Sequence, residues 1–272
     1  MAGSVRGLTA APGYEGLKTA GGMGGLLVAA TRAAVRRPFS WRDDAVVETS
    51  VAIRRTVVPL VLSAGFFALG LLVLYFGGVV KVLGTLDRLG GGDLIGFIRE
   101  AIRWVSMMVI AGVVGSAITA DLGSRKIREE LDALAVLGVD QVQSLVVPRI
   151  IALTVAMPVL SLIALGLSTL ISYVAATQAY AAGMTAAAFR QSFWAFAYSA
   201  DVIGLVVEMA IVGLFVGVVA CYKGLNAAGS TEGVGRAVSE CVLISFLGAW
   251  VIHTLFQFVV LSLFPGVLSL RG

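Results

Sequence analysis

The sequence predicts an all-α, polytopic membrane protein with five transmembrane helices. An amphipathic in-plane helix precedes them, and a short charged helix joins the second to the third. Of the 272 residues, 58% are hydrophobic and only 13% charged, where soluble domains run at about 45–50% and 25%. Five apolar runs are long enough to cross a bilayer, which takes roughly 20 helical residues. Six charged residues occupy the eight positions from Arg125 to Asp132, which sets one connection apart from every other.

The elements follow in order. Residues 1–25 are Gly-rich and lack a continuous apolar core, so they read as a flexible tail and not as a cleavable signal. Residues 26–56 mix apolar positions with Arg32, Arg36, Arg37, Arg42, Arg54 and Arg55, and place Phe39 and Trp41 beside Pro38. Basic residues interleaved with aromatics suit a helix lying in the headgroup plane. A permease-like domain spans 57–264, with membrane helices expected near 57–80, 102–120, 150–176, 202–220 and 241–264, and 265–272 form a C-terminal tail. Pro59 is tolerated near a helix start. Pro158, inside the third span, bends that helix. The second span carries Gly112, Gly115 and Ser116, and the fourth Gly213 and Gly217. Small residues four apart let helix backbones approach closely in lipid. Gly90, Gly91 and Gly92 read as an outer loop, and Trp194 and Tyr198 as part of an interfacial belt.

Charge placement orients the chain. Fourteen of the twenty Lys and Arg fall before residue 56, within 121–149 or within 221–240. The positive-inside bias therefore predicts a multi-pass inner-membrane protein with a cytoplasmic N-terminus and an outer C-terminus, and nucleic acid is not needed to explain the basic balance. Cys221 and Cys241 read as small membrane residues, and two Cys with one His make no metal site. The Gly-rich stretch 224–235 invites a nucleotide-binding reading. It lacks G-x-x-x-x-G-K-[ST] and a preceding strand, so ATP hydrolysis belongs on another chain.

Within the charged connection, Ser124 is expected as N-cap and Gly138 as a left-handed stop, giving a helix over 124–137. Ile127, Leu131 and Leu134 share one face; Arg125, Arg128, Glu129 and Asp132 share another. The pairs Arg125/Glu129, Lys126/Glu130 and Arg128/Asp132 stand at i,i+4 and stabilise by about 0.2–0.5 kcal/mol each at best. Self-stabilisation is a poor reason to concentrate charge here, and docking to a complementary groove is a better one.

The connection resembles the signature of the MlaE/YrbE permease family, membrane subunits of ABC-type lipid transporters that work with MCE proteins. The resemblance rests on Ala120-Asp-Leu-Gly123, Arg128-Glu-Glu-Leu-Asp-Ala-Leu134, Leu137-Gly-Val-Asp140 and Leu145-Val-Val-Pro-Arg149. A second block follows at Cys221-Tyr-Lys-Gly-Leu225 and Glu232-Gly-Val-Gly-Arg-Ala237. It is nearest the A-type YrbE subunits of actinobacteria, which pair with a B-type partner. Gln141, where the family often has Pro, and Ala135, where a charged residue is frequent, depart from the pattern. The resemblance implies a non-catalytic permease that encloses a lipid pathway with a second permease chain, beneath MCE proteins on the outer side. It implies an ATPase-coupling helix at 124–137, with Arg125, Arg128, Glu129, Glu130, Leu131, Asp132 and Leu134 gripping a separate cytoplasmic ABC ATPase that binds ATP and Mg. Tyr222, Lys223, Glu232 and Arg236 form a second cytoplasmic loop near the same interface. No cofactor is expected on this chain.

The competing class is an ion-coupled secondary transporter centred on His253. It would need ionisable groups near the bilayer middle, and mid-span charge reads as sparse: Asp201 and Glu208 toward the outer part of the fourth span, Glu240 at the start of the fifth. A lone His in a span is more often an interhelical hydrogen bonder. Enzyme chemistry would want clustered carboxylates, a His/Cys pair or metal spacing, and none is evident.

Overall fold

The computed structural model describes residues 12–263, and every regular element among them is helical. Five helices are long and apolar enough to cross a membrane: span one, Trp41–Val82; span two, Leu86–Ile127; span three, Val142–Ala179; span four, Ser199–Leu225; and span five, Thr231–Val260. Three more lie outside them: α1, Pro12–Val35; α2, Glu130–Val136; and α3, Ala186–Phe196. The spans overlap the apolar runs but mostly outrun them, because the backbone ladder continues into polar flanks until a residue interrupts it.

That continuation corrects the N-terminal boundaries. Residues 12–35, expected partly as tail, are the helix α1. The predicted in-plane segment 26–56 is cut at Pro38, which lacks an N–H and disfavours helix at Arg37. From Trp41 onward the chain is already on span one, so Arg42, Arg54 and Arg55 belong to it. The Trp41 indole N–H donates to the Ala34 carbonyl at 3.1 Å and holds α1 to the start of span one. Residues 1–11 and the predicted tail 265–272 lie outside the described residues.

The glycine run 90–92 is also no loop. It forms a helical turn near the start of span two, and a Cβ on Gly90 or Gly91 would run into the Phe189 carbonyl or the Phe196 ring of α3. Thr185 caps α3 by accepting from the Ala188 N–H at 3.1 Å, which gives a partner to one of the N–H donors a helix start leaves unpaired.

Span three is the centre of the bundle, packed on spans one and four; span four also packs on spans two and five. Gly213 sits against the backbone of Leu153 and Thr154, and Gly217 against that of Ile150, with no room for a Cβ at Gly213. Gly115 faces Val216 and Cys241, whereas Gly112 has open space beside it. Leu60, Ile102, Met107, Ile110, Leu153, Met157, Leu160 and Leu205 form the solvent-free centre. Span five is different: Leu243, Leu247, Val251, Leu255 and Phe258 are all exposed along one side.

Candidate functional site

Span two does not stop where the apolar run ends near residue 120 but continues to Ile127, so Asp121 to Lys126 are its last turns. The predicted single helix 124–137 is therefore two pieces. Ser124 is not an N-cap; its hydroxyl donates to the Asp121 carbonyl at 2.9 Å, inside the helix. The break falls at Glu129, whose φ of 58° is left-handed. That conformation is strained for a residue with a Cβ. α2 follows, and Gly138 at φ 73° ends it as expected. Asp140 then accepts from the Val142 and Gln143 N–H groups at 2.9 and 3.2 Å and opens span three.

The charges pair within the last turns of span two and across the break, not along one helix over 124–137. Arg125 meets Asp121 at 3.0 Å and Glu130 at 3.9 Å, and Arg128 meets Glu130 at 2.7 Å. The expected pairs to Glu129 and Asp132 do not form, because the break rotates α2 away from span two. The Arg128 guanidinium beside Glu130 holds that carboxyl below its usual range. Lys126 donates to the Leu225 carbonyl at 2.9 Å, tying this turn to the end of span four. Gln141, one of the departures from the family pattern, donates its amide to the Leu131 carbonyl and braces α2 from behind.

The consequence is a helix with one buried anchor and an open face. Leu131 is buried and Leu134 half-buried, while Glu129 and Asp132 are exposed. Val136 and Leu137 are 88% and 76% exposed at the tip. Sequence periodicity marked Leu131 and Leu134 but missed these two. The available signal was their place just before the Gly138 stop, where the chain turns away.

The motif blocks converge here. Arg149 is buried and bridges Asp121 at 2.6 Å and Glu48 at 3.4 Å. Gly224 lies against Thr119 and Leu122, and Gly123 against Ala227 and Val234, so the second block packs directly on the first. Tyr222 and Lys223 sit on the last turn of span four and Glu232 and Arg236 on the first turns of span five, not in the expected loop, and they line a cleft of about 490 Å³ together with Lys18 of α1. Lys223 pairs with Glu240 at 2.7 Å and Arg236 with Glu232 at 3.2 Å.

At the far end of the bundle, charge is not sparse. Arg103 of span two pairs with Glu208 of span four, both buried. His253 of span five places Nδ1 2.6 Å from Glu208 and Nε2 3.1 Å from Glu100. Its ring meets Trp104 edge-on at 4.4 Å, and Trp104 lies 3.8 Å from Trp250. Arg99 pairs with Asp201 at 2.8 Å, and Asp201 accepts from the Tyr198 N–H at 3.0 Å, fixing the start of span four. His253 is thus an interhelical hydrogen bonder, but one joining three spans through Glu208 and Glu100. Cys221 and Cys241 are buried and unbridged. No group of His, Cys, Asp and Glu among the described residues could hold a metal ion.

Comparison with known proteins gives the same direction. The family model described as "Permease MlaE" matches residues 46–259. A probable ABC transporter permease protein of Synechocystis is 31% identical over 168 residues, 62% of this chain and 63% of that protein. The chloroplastic protein trigalactosyldiacylglycerol 1 of Arabidopsis thaliana is 29% identical over 169 residues, 62% of this chain and 48% of its own length. A probable ABC transporter permease protein of Rickettsia bellii is 26% identical over 200 residues, 70% of this chain and 76% of that protein. The chain thus spans less than two thirds of the length of the first two relatives.

Proposed function

The chain belongs to the MlaE permease family, and on that premise we propose that it is the non-catalytic permease subunit of an ATP-driven lipid transporter. Its α2 docks in a groove of a separate cytoplasmic ABC ATPase, which binds ATP and Mg. The observation that carries the reading is the open face of α2: Val136 and Leu137, exposed beside Glu129 and Asp132. Exposed apolar residues rimmed by charge suit a protein partner, and this face lies beyond the ends of the spans, where lipid does not cover it.

Charge orients the assembly. The Lys/Arg excess at the α2 end supports a cytoplasmic α2 end and N-terminus, with the C-terminus outside. The unfilled side of span five, Leu243 to Phe258, suits a second permease, either a B-type partner or another copy, enclosing an apolar pathway below MCE proteins. An apolar pathway favours lipid cargo, and the Arabidopsis relative bears the name of a glycerolipid. Nucleotide drives such a pathway only by binding its two conformations unequally. The turn at Glu129, joined to span two, to span four through Lys126 and to span three through Asp140, passes a push on α2 into three spans at once. The actinobacterial A-type assignment extends the same reading.

The test is mass spectrometry of the tagged chain purified in mild detergent, wild type against Glu129→Lys and Leu137→Asp. An ABC ATPase, a second permease and MCE proteins accompany the wild type, and the variants lose the ATPase alone. A wild-type chain that emerges without any of them sinks the proposal. The buried His253 cluster gives the alternative, ion-coupled secondary transport, its one specific support; proton flux abolished by His253→Gln, with no ATPase bound, would favour it.

A further inference from the structure

A groove of about 620 Å³ runs along the outside of the bundle, walled by Trp41, Val46, Thr49 and Ile53 of span one and by Ile151 and Val155 of span three. Arg42 stands at its mouth. Arg42, Val46, Thr49 and Ile53 follow each other at the four- and three-residue steps of one helix stripe, so the groove is apolar below and cationic above. Asp43 and Asp44 fall off that stripe.

The cationic rim is built, not loose. The guanidinium of Arg42 lies 4.5 Å, and that of Arg37 5.9 Å, from the Phe39 ring centre. Neither has a carboxylate partner among the described residues. Two hydrogen-bonding side chains hold the turn that carries them. The Trp41 indole reaches back to Ala34 at 3.1 Å, and the Gln143 amide donates to the Pro38 and Arg36 carbonyls at 2.9 and 3.3 Å. An ordinary juxtamembrane basic stretch attracts anionic lipid diffusely and loses it as salt screens the field. Two exposed guanidiniums over Phe39, beside an apolar slot, instead define a position for one phosphate.

We propose that this groove binds one anionic glycerophospholipid from the leaflet at the α2 end. An acyl chain lies between Ile53 and Val155, and the phosphate meets Arg42 and Arg37. Charge complementarity selects the ligand: a zwitterionic headgroup would bring its own cation against two arginines, whereas an anionic one leaves the pairing uncontested. The site faces lipid between spans one and three, away from the open side of span five, and does not depend on the transport reading.

The test is native mass spectrometry of the full chain in mild detergent, offered phosphatidylglycerol and phosphatidylcholine in equal amounts. One phosphatidylglycerol per chain is expected, retained at molar salt. Arg42→Ala lowers its retention by about fivefold, and Arg42→Lys restores most of it. Val155→Trp fills the slot and removes the lipid. Gln143→Ala weakens binding with every charge and the whole slot intact, so the rim decides the outcome even if Val155→Trp misfolds. Arg54→Ala, on span one but outside the groove, changes nothing. Equal retention of both lipids, release of all lipid by salt, the same loss in Arg54→Ala, or a polypeptide found covering Ile53 and Val155 in the purified protein would each overturn the proposal.

Discussion

The two ends of the bundle use the same kinds of side chain for opposite ends. Around α2, Arg125, Arg128, Glu129, Glu130 and Asp132 are exposed or half-exposed, and their pairs sit in water, where an ion pair contributes little to stability. At the far end, Arg103, Glu208 and His253 have side chains 0–4% exposed. There a carboxylate without its partners could not turn to solvent. Charge at the first end is available to something else, while charge at the second is committed to holding spans two, four and five in register. The difference is one of burial and not of composition.

The comparison breaks most visibly at Glu208. Glu208→Ala leaves Arg103 and His253 buried without their carboxylate, and losing one member of a buried ionic set destabilises by about 3–5 kcal/mol. A large drop in the thermal midpoint in detergent is expected. Replacing Arg103, Glu208 and His253 together by apolar residues should recover much of it, since no orphan charge then remains. If Glu208→Ala melts like wild type, the cluster holds nothing. Arg149→Ala tests the intermediate case. Its guanidinium is buried, but Asp121 and Glu48, 39% and 35% exposed, keep contact with water. A loss of about 1.5–3 kcal/mol, the range for charge-assisted hydrogen bonds, is expected, and equality with Glu208→Ala would erase the distinction.

These contrasts also show how much could be read beforehand. The fold class and the five spans were legible because hydropathy over some twenty residues is a summed signal that no single residue overturns. The α2 region was legible as a place but not as a shape: Ser124 looked like a cap only because hydropathy falls there, while the backbone continues to Ile127. Gly213 and Gly217 were found as close-packing residues, yet a Cβ on Gly112, identical in pattern, would meet nothing among the described residues. Spacing along one helix does not say which face a neighbour covers. The far-end cluster escaped because its members lie on different spans, 45 residues apart for Glu208 and His253 and 105 for Arg103 and Glu208. Glu208 looked like an isolated outer charge and His253 like a lone His in a span until the spans were placed side by side.

A smaller effect is expected at Glu129 itself. Glu129→Gly relieves the left-handed backbone strain, worth about 1 kcal/mol, against a modest gain in unfolded-chain freedom. Chemical denaturation should show slight stabilisation, while capture of the ATPase weakens through loss of the carboxylate. A destabilised Glu129→Gly would mean that the side chain, and not the turn, holds the segment.

The smallest effect is acid loosening of the same turn. Glu130 has a folded value below its ordinary 4.5 because Arg128 stands beside it. A depressed carboxyl contributes stability that is present above the unfolded value and fades as pH falls through the lowered folded one. The turn should therefore hold its protection at neutral pH and lose it only below the ordinary carboxylate range. Amide exchange over residues 128–132, corrected for intrinsic rates, reads this directly, and Glu130→Gln should remove the transition. Because both partners are solvated, the change should be local and leave exchange in span two untouched. If acid instead released span two together with the turn, the α2 end would be holding the bundle as firmly as the buried cluster does, and the contrast between the ends would fail.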